Sequence, residues 1–446
     1  MQRIDRWLSY LRAPEDGASL AFFRFCFGAI MLWEVFRYWA GGRIARYYIE
    51  PGFYFSFVPS LKPWGGSGMY WHFGLLGALS VLITLGLLYR AAAALFCAAF
   101  TYVFLLDKAN YLNHLYLVCL VSFLMILVPA HRVASVDRWL FFPSAPETVP
   151  RWSRLLLRAQ IMIVYFFGGI AKLNSDWLRG EPVGTWIAER SDLPVIGPLL
   201  EHPSAGVVFA YGGLFIDLSV GFLLFFRRTF VFGAALAVIF NVLNALIFSI
   251  GIFPYFMIAS LALFPDPAWP RRLWRWLSGG EPAKGPASNE MASPMSAGEK
   301  ALLALVHVYM VAQLALPLRH WLYPGDVNWT EDGHRFAWRM KLRDKEVQSF
   351  NMRVIDPRSG AEEAIEPEEW LTDRQFRKMI TRPDMIVQFA VYVADTFEVR
   401  MGVRPVVKAR VSASLNGGPF RDLINPDLNL AATDPRPLVP PSPDPR

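Results

Sequence analysis

Apolar residues gather into runs long enough to cross a bilayer, and the polar residues are squeezed into short stretches between them. A bilayer core takes about 20 apolar residues of helix. Eight runs before residue 265 fit: roughly Leu20 to Trp39, Met69 to Leu88, Ala91 to Leu106, Leu112 to Val128, Leu155 to Ala171, Gly206 to Phe226, Val231 to Ser249 and Ile252 to Leu263. A further run, Ala301 to Leu316, follows a flexible Gly-, Pro-, Ser- and Ala-rich linker, Gly279 to Ser296. Beyond Pro317 the period changes to two. Phe336, Trp338, Met340 and Leu342 alternate with Ala337, Arg339, Lys341 and Arg343, as in a half-buried strand. Phe350, Met352 and Val354 form a second strand candidate, and Val407, Ala409, Val411, Ala413 and Leu415 a third. Ile386, Phe389, Val393 and Phe397 recur at helical spacing.

The pattern predicts an α-helical multi-pass membrane domain of about nine transmembrane helices plus a C-terminal extracytoplasmic α+β, β-rich domain. The division is 1–278 for spans 1–8, 279–300 for the linker, 301–316 for the ninth helix, 317–434 for the outer domain and 435–446 for a disordered Pro-rich tail.

Composition agrees: 54% of residues are hydrophobic and only 18% charged, too apolar a balance for a soluble domain. The net charge of +7 does not indicate a nucleic-acid partner, because the basic residues sit in short runs beside apolar segments. Arg3, Arg6, Arg12, Arg90, Arg132, Arg138, Arg151, Arg154, Arg227, Arg228, Arg271, Arg272 and Arg275 fall on one side if every run crosses the membrane. The opposite loops are poorer in Lys and Arg. The positive-inside rule then puts the N-terminus in the cytoplasm and, with an odd number of crossings, the C-terminal domain outside. The first run follows a charged leader with no small-residue cleavage site and reads as an anchor. Cys26, Cys97 and Cys119 lie inside apolar runs, where no disulfide framework or metal site can be read.

Ionisable groups in or beside membrane helices are costly, which makes them the first functional candidates. His114, with Asn113 and Asp107 nearby, sits at the outer entry of the fourth span, and Lys172 ends the fifth span on the same side. Asp217 lies within the sixth span and Arg158 near the inner start of the fifth, deeper or on the other side. Each has a structural reading. His114 could cap a backbone carbonyl, Lys172 could snorkel to the interface, Asp217 could pair with an arginine, and Gly168 and Gly169 could serve helix packing. The functional reading is that a lysine desolvated by apolar neighbours gives up its proton and becomes a base. There is no Walker loop, dinucleotide fingerprint or H-E-x-x-H pair in the sequence.

Several segments resemble the vitamin K-dependent gamma-glutamyl carboxylases and their bacterial relatives, whose membrane part is of the HTTM type. Val103 to Lys108 with Asn113-His114 and Ser135 to Asp137 is similar to the stretch carrying the family's catalytic histidine. Leu157 to Leu173, with Asp176-Trp177, resembles the segment carrying its base lysine. Asp217 to Phe226, Phe248 to Gly251, Pro267 to Arg271 and Asn328 to Thr330 continue the likeness in order. The resemblance implies a multi-pass enzyme of the bacterial inner (plasma) membrane. It would oxidise a vitamin K hydroquinone to the epoxide with O2 and couple this to addition of CO2 to peptidyl glutamate. Lys172 would be the base and His114 the stabiliser of the charged intermediate. Asn113, Tyr165, Arg158, Asn244 and Phe253 would line the quinone site, with Asp217 and Asp107 structural, and no metal. Partners would be membrane lipid, the quinol and a glutamate-containing secreted polypeptide. Ala312 stands where the vertebrate enzyme has a glutamate tied to glutamate binding, so epoxidation and carboxylation are separate expectations. The reading from another class is a non-catalytic membrane module binding quinone, lipid or a partner protein; a transporter ranks below it, for want of an internal repeat.

Overall fold

The computed structural model describes residues 2–194, 197–248, 250–279 and 294–432. Its apolar runs are helices: α1 Ala18–Ala40, α2 Gly68–Leu85, α3 Tyr89–Leu106, α4 Asn113–Leu127, α5 Arg151–Ala171, α6 Ala205–Phe225, α7 Phe230–Phe248, α8 Phe253–Ser260 and α9 Ala297–Ala315. Among the described residues, seven are long and apolar enough to cross a membrane, while α4 and α8 are shorter apolar helices. The helix α9 begins four residues ahead of the expected Ala301 because the Ser296 hydroxyl accepts from the Glu299 amide, so the end of the expected linker is already helical. The centre of that linker, Ser249 and the tail 435–446 lie outside the described residues.

At one end of the bundle a two-stranded ribbon, β1 Pro14–Asp16 with β2 Thr148–Pro150, ties the segment before α1 to the start of α5. Ion pairs lock it. Arg154 donates to both Glu15 oxygens at 2.7 and 2.9 Å and to the carbonyls of Leu263 and Pro265. Arg271 holds Asp16 at 2.8 Å. The helices α5 and α6 cross closely because Gly169 has no side chain: a Cβ there would lie 3.0 Å from the Leu218 amide nitrogen. The glycine pair therefore does serve packing, and it sets the position of Asp217.

At the other end stands a four-stranded antiparallel sheet in the order β4-β3-β5-β6, from β3 Lys345–Ile355, β4 Glu362–Ile365, β5 Val406–Leu415 and β6 Arg421–Asp422. Helix α11, Pro383–Met401, buries Phe389, Val393 and Phe397 with Met352, Val354, Val407 and Val411 of the sheet, and the shorter helix α10, Asp373–Met379, precedes it. Loops of the bundle enter this core. Phe55 is fully buried there, Phe53 stacks on Tyr392 at 4.4 Å, and Asp107 accepts from Gln375 Nε2 at 2.9 Å. Asp107 is thus a structural clamp between the two parts.

The expected strand Phe336 to Leu342 is not one. The segment is a series of turns, with Phe336, Trp338 and Lys341 in the left-handed region at φ 62, 56 and 53°. Its apolar side chains face the helix bundle, not a partner strand. Trp338 is fully buried beside Tyr116, and Phe336 packs on Tyr111 and Tyr116. The backbone is held by Tyr111 Oη, which accepts from the Phe336 amide at 2.6 Å, and by Asn113 Nδ2, which donates to the Arg339 carbonyl at 3.0 Å. Alternation in the sequence reflects docking against helices, which side chains of either period can satisfy.

Candidate active site

The turn segment 335–343 plugs one end of the bundle, and between it and the helices lies a cavity of about 870 Å³. Its membrane-side wall is apolar and aromatic, including Tyr165, Ile216, Phe240, Leu243, Phe248 and Phe253. Lys172 lines the same wall as the residue closing α5, where the next residues turn away into the Asn174 cap. It is 6% exposed and forms an ion pair with Asp217, itself 5% exposed. Asp217 reaches it past Gly168, where a Cβ would sit 3.4 Å from the carboxylate oxygen. Trp177 covers the ammonium, its ring centroid 5.1 Å from Nζ, and is fixed by donation to the Ala210 carbonyl at 2.8 Å.

This pairing corrects two expectations. Asp217 does not lie apart from the Lys172 face, and its partner is a lysine rather than an arginine. Nor is Lys172 a lone amine among apolar neighbours, because a buried carboxylate stands against it.

His114, at the start of α4, faces the turn ahead of α8. Gly251, at φ 64°, leaves open the space between His114 Nε2 and Arg37 Nη1, each 3.5 Å from where a Cβ would stand. Arg37 is held by Glu34 at 2.6 Å, so an ion pair of α1 borders the cavity next to the histidine. Tyr165 accepts at its hydroxyl from Asn241 Nδ2 at 2.9 Å, which fixes its ring. Of the residues assigned to a quinone site from the sequence, Asn113, Tyr165, Asn244 and Phe253 line this cavity. Arg158 does not: its guanidinium lies over the rings of Phe225 and Phe264 at 4.2 and 5.1 Å, among the residues of the ribbon end, so the structure does not bring it together with the other four.

Sequence reasoning passed over Glu34, Arg37 and Arg43, and the cations that the turn segment before β3, α10 and the start of α11 contribute: Arg335, Arg339, Lys341, Arg343, Arg374, Lys378 and Arg382. Glu34 and Arg37 obeyed the rule that drew attention to Lys172, being charged groups within an apolar run. Part of the plug's charge is balanced. Glu331 takes Arg343 at 2.5 Å and Lys345 at 2.9 Å, and although burial pushes its carboxyl up, these cations hold it below its usual range. Asp384 takes Arg335 at 2.8 Å and Lys108 at 3.3 Å. Among the described residues no group of three or more His, Cys, Asp or Glu is placed to hold a metal.

A bundle of membrane-crossing helices capped by a sheet domain defines a multi-pass membrane protein, and residues 12–269, more than half of the chain, match the HTTM domain. Residues 298–440 match the lumenal domain of the vitamin K-dependent gamma-carboxylases. The chain belongs to the vitamin K-dependent gamma-carboxylase family, with a gamma-carboxylase-like function in general and the use of vitamin K hydroquinone, O2 and CO2 that this implies. No solved structure matches it.

Proposed function

We propose that the protein epoxidises a vitamin K-type naphthohydroquinone with O2 at the Lys172 centre, in the bacterial plasma membrane with its N-terminus cytoplasmic and its sheet domain outside. The observation that carries this is the buried Lys172–Asp217 pair on the wall of an aromatic-lined cavity whose volume suits a two-ring quinol. When bound, the hydroquinone supplies the electrons and the acidic hydroxyl. The protein's part is to hold a ring face against Tyr165 and Phe253, exclude water, and take the proton. With the pair's proton on Asp217, the Lys172 amine is free to accept the hydroxyl proton, and Asp217 is the positioning partner that makes both states available without leaving a lone buried charge. His114 and Arg37 face the cavity from the other side as groups able to stabilise negative charge in a dry site, where fixed donors act more strongly than in water.

A second reading adds CO2 to peptidyl glutamate in the same cycle. The position that departs from the vertebrate enzyme favours it: Ala312 is exposed on α9 and does not line the cavity, so its lack of a carboxylate leaves the cavity wall intact. The test is purified protein in detergent with vitamin K hydroquinone and O2, following the epoxide, with labelled bicarbonate and a glutamate peptide in a parallel tube. Epoxide formation that Lys172→Ala abolishes supports the base assignment, and label in the peptide supports the second reading. Absence of epoxide with a folded protein would overturn the enzyme reading in favour of a non-catalytic binding module.

A further inference from the structure

Arg158 is left over at the ribbon end. The arginines that brace the ribbon have carboxylates, but Arg158 forms no hydrogen bond or ion pair among the described residues, and its Nε is buried without a partner. Glu15 acts on it electrostatically, yet both Glu15 oxygens are taken by Arg154 at 2.7 and 2.9 Å. The guanidinium lies over Phe225, the last residue of α6, and over Phe264. A cation within a membrane helix is costly and is normally met by a partner. The chain supplies none here. Just beyond Phe225, Arg227 and Arg228 stand exposed in the turn into α7, again with no ion pair among the described residues.

The helix Trp269–Ser278, which follows Phe264, adds an uncovered apolar face. Trp269, Leu273, Trp276 and Leu277 fall on one side at helical spacing, and Arg271, Arg272 and Arg275 on the other. Its first residue is anchored: Trp269 donates from Nε1 to the Ala262 carbonyl at 2.9 Å and meets Phe22 of α1 edge-on at 5.0 Å. Further along, Trp274 is 72% exposed, Trp276 78% and Leu277 65%, and no residue of the helix is buried. The helix Gln2–Arg12 at the same end repeats the pattern, with Ile4 and Trp7 exposed beside Arg3 and Arg6. Tryptophan and leucine on one side and arginine on the other make a helix that lies in the plane of an anionic lipid surface. A second copy of this basic end would set arginine against arginine, whereas an anionic phospholipid supplies both the missing charge and an apolar chain.

We propose that the ribbon end binds an anionic phospholipid at a defined site, its headgroup phosphate on Arg158 beside the end of α6, with Arg227 and Arg228 flanking it and the helix Trp269–Ser278 lying in the surrounding leaflet. A guanidinium fork suits a phosphodiester, and the attraction is stronger in a half-buried cleft than in water. The two helices that meet at this site are α5, which leads into Lys172, and α6, which carries Asp217, so the lipid clasps them at the end away from that pair. Occupancy of the site is independent of the quinol reading.

The experiment measures by native mass spectrometry how much dioleoyl phosphatidylglycerol and dioleoyl phosphatidylcholine the full-length protein retains from equimolar mixed micelles, without quinol. The thermal midpoint is followed as each lipid, or inorganic phosphate, is added. The wild type should favour phosphatidylglycerol and gain midpoint from it alone. Arg158→Gln should weaken phosphatidylglycerol retention at least about tenfold, as expected for losing a charge-assisted contact, while Arg158→Lys keeps part of it. The exposed double variant Arg227→Gln/Arg228→Gln should melt as the wild type does and weaken retention by a smaller factor, so it decides the matter if Arg158→Gln fails to fold. Equal retention of the two lipids by the wild type, or a phosphatidylglycerol preference unchanged in the folded variants, overturns the site. A midpoint raised as much by inorganic phosphate as by phosphatidylglycerol assigns the arginine to a free anion and overturns the lipid. A lipid-insensitive dimer that Trp274→Ser/Trp276→Ser abolishes puts a second copy on this face instead.

Discussion

Charge is handled in opposite ways at the two ends of the bundle. At the ribbon end the arginines that brace the two strands meet carboxylates, Arg154 with Glu15, Arg271 with Asp16 and Glu147, and Arg138 with Glu147, while the buried Arg24 is held by the carbonyls of Thr84, Ala130 and Ala134. At the cavity end the deep pair Lys172–Asp217 is balanced but the wall above it is not. Both ends are rich in arginine, so residue type does not tell them apart; what differs is whether a carboxylate stands within reach.

The largest effect tests the balanced pair itself. Lys172→Ala should lower epoxide formation by at least about a hundredfold, the lower part of the range for losing a general base. Asp217→Asn should lower it as well, with its activity loss in kcat more than in KM, since the substitution removes the proton's second resting place and leaves the cavity shape unchanged. Steady-state kinetics on both variants decide this, and an Asp217→Asn enzyme with wild-type kcat would remove Asp217 from the mechanism.

Next in size is the ribbon end. Glu15→Gln strips Arg154 of its buried counter-charge and should cost roughly 3 kcal/mol of stability, the lower part of the range for breaking such a pair. A thermal midpoint unchanged by this substitution would show that the ribbon-end pairs are not what holds the helices.

A smaller effect follows from pH. Lys378 is faced by Arg374 and Arg382 from its own stretch of chain and by Arg343 and Lys341 from the segment ahead of β3. His334, also on the wall, is held neutral by burial and by Arg343 and Arg339. In the folded chain the Lys378 amine titrates at about 7 rather than its ordinary 10.5, so between these values the unfolded chain binds the additional proton. Stability from this group therefore rises as pH rises across that window. Thermal midpoints of the wild type and of Lys378→Gln, measured between pH 7 and 10.5, check this: the rise should be seen in the wild type and lost in the variant.

The smallest effect is a control: Arg404→Gln removes exposed pairs with Asp395 and Glu398 and should change stability by less than about 1 kcal/mol.

Much of the fold was legible because lipid-exposed helices must satisfy their backbone internally, which forces long apolar runs. The expected Leu20 to Trp39 is the helix Ala18–Ala40, and Ile252 to Leu263 is Phe253–Leu263. The start of α5 was placed at Leu155 but lies at Arg151, because Arg151 and Arg154 are helical while binding Glu15 and so lack the apolar signal. The plug was misread since its period of two comes from left-handed turns, and nothing in Phe336 or Trp338 announces a positive φ that non-glycine residues rarely adopt. Its arginines and lysines then passed for the solvent face of a strand. Lys172 and His114 stood out as isolated charges among apolar residues. Arg374, Lys378 and Arg382 could not, because a basic run on a short helix is ordinary until folding turns it toward a cavity.

Trp338 has a bearing on how the molecule is assembled. It belongs to the outer part of the chain, beyond the last apolar helix, yet it completes the packing around Tyr116 between the earlier helices. While the chain is being made, the bundle must wait for a residue translated after all of its membrane segments before its interior is filled. A fragment ending at Leu316 keeps every membrane helix but has a gap the size of an indole beside Tyr116, so the bundle and the sheet domain share one interior.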